Sequence, residues 1–167
     1  GMAVVFSPAT EEEKKSLERY SPPEPVVSTI EEIPLPQEWK FSKGDNPEWS
    51  KPDFNDSKWD KVLAPSNWED EGYPGYDGYA WYRQEIDIPT KYKGKKFILR
   101  IGAIDDQDNT YFNGREIGSM KIWDAQRSYE IPVELIKFGK KNVIAVRVLD
   151  TGVGGGIHSG PLLIEIK

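Results

Sequence analysis

The residues with chemistry to offer gather in two places. Asp105, Asp106 and Asp108 stand together in "DDQD", and Asp150 ends the apolar run "NVIAVRVLD", which opens into "TGVGGGIHSG". That loop holds His158, the only histidine in the chain. Paired carboxylates could act in glycoside hydrolysis, but further acids at Asp77 and Asp124 leave no single pair standing out. Grouped carboxylates could also hold a hard cation. An EF-hand is excluded, because its loop needs a glycine at the sixth position. No cofactor is expected; a structural calcium or sodium ion remains an option, with Asp150 a possible ligand.

His158 could serve as a general base, yet the GxSxG nucleophile elbow is absent, so an exposed loop histidine is the plainer reading. The glycines could cradle a phosphate. Against this, "GVGGGI" lacks the GxGxxG spacing, and only seven residues follow Gly160, too few for a βαβ unit. A loop whose backbone needs positive φ accounts for them.

Aromatic residues offer a third chemistry. Sugar rings present C–H faces that stack on Trp and Tyr, while carboxylates accept from their hydroxyls. The candidates are Tyr76 in "GYPGYDGYA", Trp123 beside Asp124, and Trp68; Trp39, Trp49, Trp59 and Trp81 read as core or staple residues. Asn55-Asp56-Ser57 matches a glycosylation sequon, a pattern too common to weigh much.

The elements that must position these groups are strands. Runs at 80–88, 96–104, 109–113, 115–120, 128–131, 142–150 and 161–167 are separated by turn signals, of which Asn113-Gly114 is the strongest for a hairpin. Ile86 and Ile88 share one face, as do Phe97, Leu99 and Ile101, and then Ile144, Val146 and Val148. Such alternation, with seven short strands, predicts a β-sandwich with one face inward and the other wet or covering something polar. A helical turn fits "VELIK" (133–137). Residues 37–76 hold four tryptophans without a period of two or 3.6, and read as irregular structure pinned by aromatics, functional or packed over the core.

Composition excludes several classes. The net charge of −6 lies largely in residues 1–36, where seven acids face three bases, and no basic stripe suggests nucleic-acid binding. There is no cysteine, hence no disulfide framework or thiolate metal site. No apolar run approaches membrane-spanning length, and "MAVVF" is too short for a signal peptide. The leading Gly-Met reads as a cloning scar, and the chain as a soluble piece of something larger, with a periplasmic or extracellular setting favoured. Residues 1–29 read as a tether in which Thr10 caps a short helix, Arg19 sits in its last turn, and prolines 22, 23 and 25 stop it.

Taken in order, "PDFNDSKWDKVLAPSNWE", "DGYAWYRQEIDIP", "LRIGAIDDQDNTYFNGREIG", "YEIPVELIKFGKKNVIAVRVLDTGVGGG" and "GPLLIEI" resemble the N-terminal sugar-binding domain of glycoside hydrolase family 2. The form is most similar to that inside bacterial sialate O-acetylesterases. The resemblance covers residues 37–167. It implies an all-β, galactose-binding-like jelly roll over 30–167, non-catalytic, whose partners are a carbohydrate and a neighbouring catalytic domain. It also implies that Asp150 lies near that domain's pocket and helps to hold a cation. The alternative is a purely structural module that orders its neighbour and touches no sugar. The expected rim joins loops 73–79 and 105–108 with Tyr76, Asp77, Asp105, Asp106, Trp123, Asp124, Asp150 and His158.

Overall fold

The computed structural model describes residues 1–4, 7–18, 20–24 and 30–167. Among the described residues one α-helix, α1 (Glu11–Glu18), begins at a reciprocal capping box: the Glu13 N–H donates to Thr10 Oγ1 (3.2 Å) and the Thr10 N–H to Glu13 Oε2 (2.7 Å). Arg19 and Pro25, expected to end this segment, lie outside the described residues.

Among the described residues ten strands follow: β1 (Glu31–Pro34), β2 (Glu38–Lys43), β3 (Asp60–Leu63), β4 (Gly78–Asp87), β5 (Phe97–Asp105), β6 (Gln107–Phe112), β7 (Arg115–Met120), β8 (Gln126–Ile131), β9 (Lys141–Asp150) and β10 (Gly156–Ile166). They form two antiparallel sheets, ordered β1-β10-β5-β8 and β3-β2-β4-β9-β6-β7. The predicted all-β sandwich is the observed fold. Its core takes Phe97, Leu99 and Ile101 from one sheet and Ile144, Val146 and Val148 from the other. These are the residues whose alternation marked an inward face. Phe112 opposes Arg115, so Asn113-Gly114 forms a two-residue turn with φ of 47° and 88°, the conformation an Asn-Gly hairpin favours.

One expectation needs correction. Residues 37–76 are not wholly irregular: β2 and β3 lie within them, and Trp39 and Phe41 alternate inward between Lys40 and Ser42. The helical turn expected in "VELIK" is a single 3₁₀ turn (Val133–Leu135). The intervening segment 44–59 packs over the outer face of β4. There Arg83 is 2% exposed; it pairs with Asp56 (2.9 Å) and donates to the carbonyls of Trp49, Lys51 and Phe54. Trp49 meets Trp59 and Trp81 edge-on, a second, smaller aromatic cluster outside the sheet.

Candidate functional site: an acidic rim with an exposed tryptophan

Strand register brings the chemistry-bearing residues to one end of the sandwich. Gly78 at the start of β4 opposes Asp150 at the end of β9, Asp105 at the end of β5 opposes Gly156 at the start of β10, and Gln107 opposes Leu149. One carboxylate oxygen each from Asp105, Asp106 and Asp150 lie within 4.8 Å of one another. Asp106 Oδ2 accepts from the Thr151 N–H (2.7 Å) and Oγ1 (2.6 Å), and Asp150 Oδ1 from the Gly152 N–H (2.9 Å). The other oxygen of Asp150, Oδ2, is buried without a partner.

A fourth carboxylate, outside that tight group, is close enough for its charge to act on Asp105 and Asp150. Glu69, in the 3₁₀ turn Trp68–Glu71, accepts from the Gly155 N–H (3.1 Å) through Oε2, while its Oε1 is buried without a partner. Sequence reading missed it. It sits 36 positions before Asp105 in an aperiodic stretch, and only its adjacency to a core tryptophan could have drawn attention.

Crowding shapes the electrostatics. Burial, the hydrogen bond to Asp106 and the charges of Asp106, Asp150 and Glu69 push Asp105 up to about 7. Asp106 is held below the usual carboxylate range by that same hydrogen bond and by those from Thr151. Burial raises Asp150 to about 6; the Gly152 N–H opposes this, and the charges of Asp77, Glu69 and Asp106 reinforce it. Crowding thus raises Asp105 and Asp150 while Asp106 stays low, because like charges this close disfavour ionising together.

The glycine loop has a structural reason. A Cβ at Gly155 would stand 2.4 Å from the Trp68 ring and 2.6 Å from Asp150 Oδ2, and one at Gly156, whose φ is +101°, would meet the Tyr82 hydroxyl at 2.2 Å. The backbone comes close here to the protein's own core. Gly152 and Gly156 also carry the positive φ expected of this loop.

The other expected residues divide. Trp123 is 57% exposed and Asp124 is exposed, both in the loop joining β7 to β8. His158 is half-buried: its Nε2–H donates to the Trp123 carbonyl oxygen (2.9 Å), and its ring lies 6.2 Å from the Trp123 ring at 32°. Asp77 is exposed beside the acidic group. Tyr76 is half-buried; its hydroxyl donates to the Tyr79 carbonyl (2.6 Å), its ring packs on Trp68, and the Lys43 ammonium sits 5.2 Å above it.

Trp68, a candidate for sugar stacking, is instead fully buried, with its indole N–H donated to the Tyr76 carbonyl. Asp108 is not part of a solvated rim loop either. It lies inside β6, 2% exposed, and accepts from Arg127 Nε (2.7 Å), Tyr129 Oη (2.9 Å) and Thr110 Oγ1 (2.8 Å). Arg127, which the sequence reading also missed, carried a signal: "RSYEI" alternates so that Arg127, Tyr129 and Ile131 face inward together.

Comparison with known proteins bears on the fold. Residues 44–153 match the pattern of the β-galactosidase second all-beta domain. The chain belongs to this domain family. Among relatives of this glycosidase domain, a β-glucuronidase of Formosa agariphila is 27% identical over 124 residues, 66% of this chain and 12% of that protein. A β-galactosidase of Thermoanaerobacter pseudethanolicus is 28% identical over 119 residues, 66% of this chain and 16% of that protein. Among solved structures, a Bacteroides uniformis β-glucuronidase superimposes with a TM-score of 0.74 at 26% identity, covering 83% of this chain and 18% of that one. A glycosyl hydrolase family 2 member from Bacteroides cellulosilyticus gives 0.69 at 26% identity, covering 81% and 20%. The chain therefore spans less than a fifth of the length of the sequence relatives named here.

Proposed function

We propose that residues 30–167 form a non-catalytic, carbohydrate-binding-like accessory module of a family 2 β-glycosidase, tethered through residues 1–29. What supports this reading is the cluster of Asp105, Asp106 and Asp150 at the strand ends, together with Trp123, exposed in the β7–β8 loop and bonded through its carbonyl to His158 of β10. Carboxylates and an aromatic face are the mixture that a sugar requires. The non-catalytic reading is supported by the match to an all-beta domain of β-galactosidase and by the absence of a GxSxG nucleophile elbow. The relatives' names favour a β-glycosidase parent over a sialate O-acetylesterase.

Calorimetric titration with a panel of glycosides tests the proposal. Binding that Trp123→Ala and Asp150→Ala weaken, without loss of folding, supports it; binding untouched by both overturns it.

A second reading has its own observation. Ile122, Trp123 and Val153 are 54%, 57% and 104% exposed. They would suit burial against a neighbouring catalytic domain, with no sugar in contact. The acidic oxygens also fit a hard cation such as sodium or calcium. Asp105, Asp106 and Asp150 would hold it, and it would supply the charge that the unpartnered Asp150 Oδ2 lacks.

A further inference from the structure

We propose that Arg127, buried with Asp108, is a positioning residue that holds the 121–125 loop so that Trp123 and His158 form a stacking platform for a neutral sugar ring. The inference rests on the rim reading above, and adds the residue that builds the platform and the ligand class.

The loop crosses from β7, the edge of the six-stranded sheet, to β8, the edge of the four-stranded one. Arg127 and Asp108 side chains are both 0% exposed. An ion pair buried this deeply is weak evidence of stabilisation, since apolar residues of similar volume often serve as well. What the guanidinium supplies is a fork of directed donors. Nε goes to Asp108; the remaining nitrogens go to the carbonyls of Ile122, Ala125 (2.7 Å) and Met120 (3.5 Å). Asp108 is itself fixed by Thr110 and Tyr129. From the other side His158 takes the Trp123 carbonyl.

Backbone groups of Met120, Ile122, Trp123 and Ala125 are thus drawn inward, while the Ile122 and Trp123 side chains are turned out. A loop fixed in this way has little freedom left to lose when a ligand arrives. The indole and imidazole, tilted by only 32°, make a shallow two-ring surface for the C–H face of a pyranose. With Nε2–H donated to the Trp123 carbonyl, the other ring nitrogen, Nδ1, is left to face a hydroxyl. The neighbouring carboxylates disfavour an anionic sugar and favour a neutral one.

Arg127→Lys isolates the clamp, because lysine keeps the charge opposite Asp108 but lacks the planar fork. Two readings are taken: the Trp123 indole N–H resonance during titration with methyl β-galactopyranoside, and hydrogen exchange of amides 121–126 against those of β5 and β9. The expected variant keeps core protection, exchanges its loop amides about ten-fold faster, and binds the glycoside about five-fold more weakly. Loop exchange and binding both at the wild-type level overturn the inference. A wild-type Trp123 indole that ignores the glycoside overturns the sugar platform and the carbohydrate-binding reading, while the exchange data still decide whether Arg127 positions the loop. If the lysine variant does not fold, the double variant Arg127→Met with Asp108→Leu, which removes both charges together, takes the same two readings.

Discussion

Replacing Asp150 by asparagine should stabilise this domain above neutrality and change little in acid. Asp150 is 1% exposed; Oδ1 has the Gly152 N–H and Oδ2 has no partner. Its folded pKa is raised from 3.8 to about 6, first by burial and then by Asp77, Glu69 and Asp106. A raised carboxyl pKa means that the folded state holds its proton more tightly than the unfolded chain does. The stability this contributes is complete below about pH 4 and is lost as the pH rises through about 6. A rise of this size is worth about 3 kcal/mol, of which relaxation and water entry return a part. Asparagine keeps an acceptor for Gly152 and carries no charge. At about pH 8 the Asp150→Asn variant should therefore exceed the wild type by about 1–3 kcal/mol, or about 3–8 °C in Tm. At about pH 4 the two should nearly coincide. Urea melts at both pH values, in a sodium-free buffer with a chelator so that no cation masks the charge, provide the assay. A variant equally destabilised at both pH values would refute the reasoning, because the carboxylate would then be acting as a well-satisfied structural group.

Three other changes test separate parts of the structure. Gly155→Ala should cost about 1–3 kcal/mol, since its Cβ would meet the Trp68 ring and Asp150; an unchanged urea midpoint would show that the loop can move aside. Arg83→Met should cost about 2–4 kcal/mol by stranding Asp56 and three backbone carbonyls. It should also loosen segment 44–59, read as lost tryptophan near-ultraviolet signal. Deleting residues 1–24 should move Tm by less than about 2 °C, because α1 residues Glu11–Ser16 are exposed; a fall above about 5 °C would mean that the segment is docked.

Much of the sandwich was legible because strand periodicity is a local signal. Leu99 and Ile101, or Val146 and Val148, announce a buried face within a few residues, and Asn113-Gly114 fixes its own turn. β2 escaped notice because only Trp39 and Phe41 alternate there, inside a stretch crowded with Pro, Gly and aromatic residues that pack on both sides of the sheet. The acidic rim was legible in part. Asp105 and Asp150 end strands and Asp106 follows one, and strand ends at one side of a sandwich converge. Glu69 could not be foreseen, because its place depends on how Trp68 seats in the core. Trp68 and Asp108 were misjudged for a related reason: residue type suggested solvent chemistry, and burial assigned them to packing and to Arg127.

The central claim, that this domain presents a ligand at its rim and performs no chemistry on it, can be tested in a single sample. The isolated chain is mixed with nitrophenyl β-galactopyranoside, and the Trp123 indole resonance and nitrophenolate release are followed together. The expected result is a shift of the indole, abolished in Trp123→Ala, with no release above the buffer rate. Release that disappears in Asp150→Asn or His158→Ala, or an indole that never responds, would contradict the claim.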